Sequence, residues 1–151
     1  MGAAFFYHLT ETPLEATLPT LLSRCRQQGW RVAIRGRDAA RLDWLDEKLW
    51  QGDGFLPHGR AGGPHDADQP ILLTERADAP NGPACVMTVD GAEVTADEVA
   101  ALERTCVLFD GHNPAAVETA RSQWRTLTQA GAAAQYWAQD GGRWTKKAES
   151  G

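Results

Sequence analysis

Long apolar runs are missing from this 151-residue chain. No stretch approaches the ~20 apolar residues that a membrane-spanning helix requires. Residues 1–12 lack the basic region and long apolar core of a secretory signal peptide, and Phe6 stands where a myristoylation signal has serine or threonine. We therefore expect a cytoplasmic protein that makes no membrane contact.

Cysteine is scarce, and its three copies do not suggest disulfides. Cys25, Cys85 and Cys106 are an odd number at wide spacing, whereas small secreted domains pair an even number. Cys85 and Cys106 each open an apolar run, where a thiol behaves as a small buried hydrophobe. The sequence predicts three reduced, structural cysteines.

Motifs for catalysis and metal binding are also lacking. The four histidines do not have the close spacing of a zinc-binding pair, and no serine stands in a G-x-S-x-G elbow. No paired carboxylates stand where two metal ions could be held. We predict no intrinsic enzymatic activity, no metal site and no cofactor.

The sequence has no phosphate-binding loop. The glycines between Gly59 and Pro64 lie inside a long loop, 52–70, without a strand before them or a helix after them, and no Gly-Lys-Ser/Thr follows. A small α/β nucleotide-binding module, or an enzyme with a diverged loop, stays open as an alternative. A thermal-shift assay separates the two readings, because nucleotides should leave the melting temperature of a non-binder unmoved.

Short apolar runs alternate with amphipathic segments along the chain. Strands are predicted at Phe5–Leu9, Val32–Ile34, Ile71–Thr74, Cys85–Val89, Cys106–Phe109, Gln135–Ala138 and Arg143–Thr145. Helices are predicted over 14–29, 38–50, 95–104 and 114–131. This alternation predicts one α/β domain over residues 1–148, with a Rossmann-like sheet of parallel strands flanked by helices and a frayed end at 149–151.

The predicted helix starts carry side chains that can bond free backbone N–H groups. These are Thr12 with Glu15, Asp38, Thr95 with Glu98, and Asn113. Pro19 conflicts with the first helix, because an interior proline costs about 3 kcal/mol. That helix is expected either to bend at Pro19 or to begin only at Thr17.

Charge is unevenly spread along the chain. The net charge is −5, yet residues 121–147 hold five basic residues and one acid, so this segment carries +4 and the remainder −9. Such an asymmetry favours an anionic partner for the C-terminal segment over general coating of nucleic acid.

Aromatic and basic residues lie together in this segment. Arg121, Trp124 and Arg125 have i, i+3, i+4 spacing, which puts them on neighbouring positions of one helix face, and Tyr136 and Trp137 follow. Arginines beside an aromatic slot suit a peptide C-terminus with acids, an apolar residue and a free carboxylate. Alternatively, Trp124 belongs to the buried seam of its helix and the arginines are only solvated.

A second feature is the stretch LDEKLWQGDGFLPH, from Leu45 to His58. It places Trp50 at a helix end and Phe55 after a glycine-bearing turn. Each aromatic side chain is worth roughly 1.5–3 kcal/mol when removed from water. These two residues therefore either fill the core of the domain or form a surface for a partner.

In order along the chain, these segments resemble the chi subunit family of bacterial DNA polymerase III, an accessory protein of the clamp loader. The resemblance spans most of the chain and rests on Phe6–Leu9, Gly29–Val32, Leu45-Asp46, Leu49-Trp50, Phe55–His58, the helix of Arg121 and Arg125, Gly131 and Trp144–Lys146. The block from Leu-Trp to Phe-x-Pro-His is the most specific. Where family members often have a tyrosine and a lysine, this chain has Trp124 and Arg125, which keep an aromatic and a cation.

The resemblance implies a non-catalytic adaptor within a DNA-directed DNA polymerase assembly. Such an adaptor joins the clamp loader, through the psi subunit, to the acidic C-terminal tail of single-stranded-DNA-binding protein, and meets nucleic acid only indirectly. The tail-binding residues that it implies are Arg121, Trp124 and Arg125, helped by Tyr136, Trp137 or the nearby lysines. The implied surface for psi, or for a substitute clamp-loader or helicase partner, holds Trp50 and Phe55.

Overall fold

The computed structural model describes residues 2–51 and 56–150, which form an eight-stranded sheet with helices on both faces. The strands are β1 (Ala3–Leu9), β2 (Val32–Arg35), β3 (Gly59–Arg60), β4 (Ile71–Thr74), β5 (Cys85–Thr88), β6 (Arg104–Asp110), β7 (Ala133–Asp140) and β8 (Arg143–Ser150). The helices are α1 (Leu14–Gln27), α2 (Ala39–Gln51), α3 (Ala96–Ala101) and α4 (Pro114–Gln129). The sequence did not predict β3, which is too short to show a period-2 pattern, or the 3₁₀ turn at Asp66–Asp68.

The sheet is parallel except at one edge. Its strand order is β3-β4-β2-β5-β6-β1-β7-β8, and only β7 and β8 pair antiparallel among the described strands. Gly141 and Gly142 join these two strands with positive φ angles of 58° and 80°, which glycine adopts without strain. The predicted α/β sheet of parallel strands flanked by helices is confirmed.

Two apolar clusters lie on opposite faces of the sheet, because successive side chains of a strand point to opposite sides. In β1, Tyr7 and Leu9 cluster with residues of α1 and α2, whereas Ala4 and Phe6 cluster with residues of α3 and α4. Strands β2, β4 and β5 are buried at every position, as parallel strands covered on both sides should be. Helices α2 and α4 therefore belong to opposite faces.

All three cysteines are buried and free, which confirms the prediction of reduced thiols. A hydrogen bond between the thiols of Cys25 and Cys85, together with burial, raises the pKa of Cys25. Because the thiolate is the reactive form, a raised pKa leaves this group inert at neutral pH. The cysteines act as packing residues.

The helix starts agree with the sequence in three cases out of four. Thr95 and Glu98 form a capping box, Asn113 accepts from the first N–H groups of α4, and Asp38 accepts from Ala40. The prediction at Thr12 is wrong, since α1 begins after Pro13 without a side-chain cap. The Thr12 hydroxyl instead meets the side chains of Gln139 and Thr17, at 2.6 Å from each.

Two further boundaries differ from expectation. Helix α1 begins at Leu14 and continues through Pro19, so a start at Thr17 is wrong. The frayed end is also wrong for Glu149 and Ser150, which belong to β8, where Ser150 pairs with Ala134; Gly151 lies outside the described residues. None of the helices in the described ranges has the length and apolarity that crossing a bilayer requires.

Candidate functional site

Helix α4 fixes the positions of the two arginines. Its buried residues Ala120 and Leu127 hold one side of the helix against the sheet, and the Asn113 side chain anchors its start. The adjoining positions Arg121 and Arg125 therefore face solvent, with side chains 62% and 58% exposed. Both guanidinium groups are accessible to a ligand.

Trp124 lies between the core and the surface. Its half-buried ring meets the buried ring of Phe6 edge-on at 5.3 Å between centroids, and the ring of Tyr136 at 6.0 Å. This packing agrees with the interpretation of Trp124 as part of the buried seam, and its role in binding stays a prediction. Trp124 packs on the core and still presents part of its indole beside the arginines.

Tyr136 on β7 packs beneath Trp124 and adds a second aromatic ring to this face. Its hydroxyl lies 2.7 Å from His8 Nδ1, and its ring lies nearly parallel to that of Phe6 at 6.5 Å. Burial raises the pKa of Tyr136, while the positive charge of Arg121 works in the opposite direction. We call Arg121, Trp124, Arg125 and Tyr136 the arginine–aromatic face.

An acid that the sequence interpretation overlooked lies beside both arginines. Glu118 Oε2 is 4.0 Å from Arg121 Nη1, and Glu118 Oε1 is 3.9 Å from Arg125 Nη2. Exposed pairs at such distances contribute little, so the guanidinium donors stay available. The i, i+3 spacing of Glu118 and Arg121 was visible in the sequence.

Trp137 is not part of this face, and the expectation that it lies beside the arginines is wrong. It follows Tyr136 in the strand and so points to the other side of the sheet, where it packs against the cluster of α1 and α2. Its Nε1 donates to Gln135 Oε1 at 3.0 Å. Lys146 pairs with Trp137 in register and bonds to Glu149 at 3.1 Å, so this lysine also lies away from the arginines.

The second candidate surface lies at the end of α2. Trp50 is 54% exposed and is the one large hydrophobic residue that is exposed among those described. Its predicted exposure is confirmed. Phe55, the other predicted member, lies outside the described residues.

A histidine that the sequence interpretation did not assign lies against Trp50. The rings of Trp50 and His58 are 4.1 Å apart between centroids and tilted by 33°. The His58 side chain is fully buried, with Nδ1 2.6 Å from the Leu56 carbonyl and Nε2 3.1 Å from the Asp46 carbonyl and 3.2 Å from Asp46 Oδ1. The Phe-x-Pro-His block was the available signal.

Acidic residues accompany Trp50 on its helix. Asp43, Glu47 and Trp50 have i, i+4, i+7 spacing and are all exposed, and we call these three residues the Trp50 surface. Asp43 Oδ1 accepts from Arg60 Nε at 2.7 Å, whereas Glu47 accepts from the neutral Gln51 amide at 3.3 Å. Within residues 2–51 and 56–150, the negative charge of Glu47 therefore has no ion-pair partner.

The glycine loop does not offer a phosphate cradle. The Asp66 carboxylate accepts from the N–H groups of Gly62 and Gly63 at 2.8 and 3.0 Å, so the chain itself fills that position. Nor does any group of three or more His, Cys, Asp or Glu residues within 2–51 and 56–150 have an arrangement that could hold a metal ion. These observations weigh against a nucleotide-binding loop.

A cavity of about 780 Å³ lies at the carboxyl ends of β1 and β6. The polar groups around it mostly bond within the chain. Asp110 accepts from the His112 N–H at 2.9 Å, Asn113 caps α4, and Asp90 pairs with Arg41 at 3.1 Å. These polar groups of the cavity lining are therefore engaged within the chain.

Fold and surfaces together describe an α/β domain with two exposed faces suited to binding other macromolecules. Residues 1–135 match the family described as DNA polymerase III chi subunit, HolC, and the chain belongs to this family. The match confirms the resemblance found in the sequence and includes Trp50, Arg121, Trp124 and Arg125, but not Tyr136. Family membership supports an accessory role in DNA replication.

A relative with this description is also found among known proteins. The chain is 23% identical over 90 residues to a protein of Rickettsia prowazekii (strain Madrid E) described as a probable DNA polymerase III subunit chi. The match covers 58% of this chain and 54% of that protein, so it spans about half of the relative's length.

Proposed function

We propose that this chain is a non-catalytic accessory subunit of the DNA polymerase III holoenzyme. It links the clamp loader, through psi or a substitute subunit, to the acidic C-terminal tail of single-stranded-DNA-binding protein. It acts in the cytoplasm and meets nucleic acid only through these partners. The observation that carries the proposal is the exposed pair Arg121 and Arg125 beside the half-buried rings of Trp124 and Tyr136.

The chemistry of the arginine–aromatic face fits such a tail. A guanidinium group donates two parallel hydrogen bonds to a carboxylate, so Arg121 and Arg125 can hold acidic side chains and a terminal carboxylate. The accessible parts of Trp124 and Tyr136 supply apolar area for the hydrophobic residue at the end of the peptide. Charge directs the encounter, and burial of aromatic surface adds affinity.

The test is a titration of a labelled peptide that ends in acids, an apolar residue and a free carboxylate. Arg125→Ala should weaken binding about tenfold or more, because a hydrogen bond to a charged group contributes roughly 1.5–3 kcal/mol. Arg125→Glu should weaken it further by adding repulsion. Higher salt should weaken wild-type binding, since the Debye length shortens from about 10 Å at 0.1 M to about 3 Å at 1 M.

Arg76→Glu is the matched control. Arg76 is an exposed arginine in the loop after β4, where it pairs with Asp78 at 2.8 Å, and its reversal changes the net charge by the same amount. We use Arg125 instead of Trp124 because truncating Trp124 would also disturb Phe6. Equal affinities of wild type and Arg125→Glu at low and high salt would exclude this face as the tail site.

A further inference from the structure

His58 and Trp50 form a close, tilted ring pair in which the histidine is buried and the tryptophan is exposed. The His58 side chain has no solvent contact, while more than half of the Trp50 surface is accessible. With ring centroids 4.1 Å apart, the histidine forms a floor beneath the indole. A fixed floor limits the orientations that the indole can take.

Oxygen atoms hold the His58 ring from both ends. Nδ1 lies 2.6 Å from the Leu56 carbonyl oxygen. Nε2 lies 3.1 Å from the Asp46 carbonyl oxygen and 3.2 Å from Asp46 Oδ1. These contacts join the end of α2 to the segment that begins at Leu56. Histidine is suited to this place because its flat ring has a nitrogen at each end that can form a hydrogen bond.

We propose that His58 is the positioning residue of the Trp50 surface, and that this surface receives a subunit segment with an apolar side chain beside a lysine or arginine. The proposal rests on the proposed function, in which Trp50 contacts a clamp-loader partner. His58 does not touch the partner. It holds the indole outward, so that the partner does not have to order it on binding.

The charge around Trp50 defines the chemistry of the partner. Glu47 lies three residues before Trp50 on the same helix face and, among the described residues, bonds to a neutral amide without forming an ion pair. Asp43, farther along this face, is already paired with Arg60. A cation of the partner therefore meets Glu47, and an apolar side chain beside it covers the indole.

The experiment measures the affinity of purified psi subunit for the full chain and its variants. Trp50→Ala should weaken binding about thirtyfold or more, as loss of a central tryptophan does at an interface hot spot. His58→Phe keeps a flat ring but loses both ring nitrogens and their contacts, and should weaken binding about tenfold by leaving the indole loosely held. Glu47→Lys should weaken binding and reverse its salt dependence.

A spectroscopic measurement tests positioning separately from binding. Labelling with 5-fluorotryptophan gives one ¹⁹F signal for each of the six tryptophans, and Trp50→Phe assigns the signal of Trp50. His58→Phe should shift and broaden this signal while those of Trp124 and Trp144 stay in place. Asp46→Asn changes a partly exposed partner of His58 and should shift the Trp50 signal less than His58→Phe does. It replaces His58→Phe as the test variant if that variant does not fold.

The controls separate the possible failures. His65→Phe alters an exposed loop histidine and should leave both readouts unchanged. Retained binding of the acidic tail peptide shows that a variant is folded. If Trp50→Ala weakens psi binding and His58→Phe or Asp46→Asn changes neither affinity nor the Trp50 signal, the positioning role is wrong and the proposed function stands. If Trp50→Ala binds psi like wild type, the partner surface itself is wrong.

Discussion

The arginine–aromatic face and the Trp50 surface differ in charge and in how their aromatic residues are held. On α4, two exposed arginines flank a tryptophan that is half-buried against Phe6. On α2, an exposed tryptophan stands beside Glu47 and rests on a buried histidine. The two helices belong to opposite faces of the sheet, so two partners of opposite charge can bind without competing for space.

The difference in burial predicts a difference in what drives binding. Much of the Trp124 surface is already removed from water by the fold, so less apolar area remains for a ligand. The exposed indole of Trp50 has most of its area available. Binding at the arginine–aromatic face should therefore depend strongly on charge and salt, whereas binding at the Trp50 surface should depend more on apolar contact.

The largest expected effect comes from measuring how a variant of one surface binds each of the two ligands, the acidic tail peptide and psi. The double variant Arg121→Glu with Arg125→Glu should lose the acidic tail peptide by about a hundredfold or more, because two charge-assisted contacts become repulsive. Its affinity for psi should stay within about twofold of wild type, since well-separated sites act additively. Calorimetric titration of each ligand gives both numbers.

Trp50→Ala should give the reverse result, with tail binding retained and psi binding weakened about thirtyfold or more. Loss of both ligands in either variant, with unchanged circular dichroism, would mean that the two surfaces are not independent. The expectation that the arginine–aromatic face and the Trp50 surface bind their ligands separately would then be wrong.

A moderate effect is expected from Glu118→Gln. This acid lies within 4.0 Å of both Arg121 and Arg125 and competes with an incoming carboxylate. Removing its charge should tighten tail binding about two- to fivefold, since exposed pairs contribute about 0.2–1 kcal/mol each. The labelled-peptide titration measures this gain, and the control is Glu103→Gln, which changes an exposed acid just before β6. A weaker affinity in Glu118→Gln would show that Glu118 orients the arginines instead of competing for them.

Sequence periodicity predicted the helices, most of the strands and the face of α4 that carries the arginines. The period of 2 in strands should also have separated Tyr136 from Trp137, so this error was avoidable. Other features depend on contacts between residues far apart in the chain. Thr12 fails as a cap because Gln139 engages its hydroxyl, and His58 lies under Trp50 because Asp46 holds it.

The smallest expected effect is that of the Arg121 charge on the pKa of Tyr136. Burial raises the pKa of Tyr136, and the nearby positive charge of Arg121 lowers it by stabilising the phenolate. Arg121→Gln removes that charge, so the pKa of Tyr136 should rise further and its phenol should ionise at a higher pH than in wild type. A ¹³C NMR titration of the tyrosine ring, with Tyr136→Phe for assignment, measures the midpoint.

Tyr7 must be followed as a separate signal, because burial also raises its pKa. Arg76→Gln, which removes an exposed charge elsewhere, should leave the Tyr136 midpoint in place. A midpoint that stays constant or falls in Arg121→Gln would mean that Arg121 does not act on Tyr136. The arginine–aromatic face would then consist of two independent parts, a pair of solvated cations and a packed aromatic cluster, and its difference from the Trp50 surface would rest on charge alone.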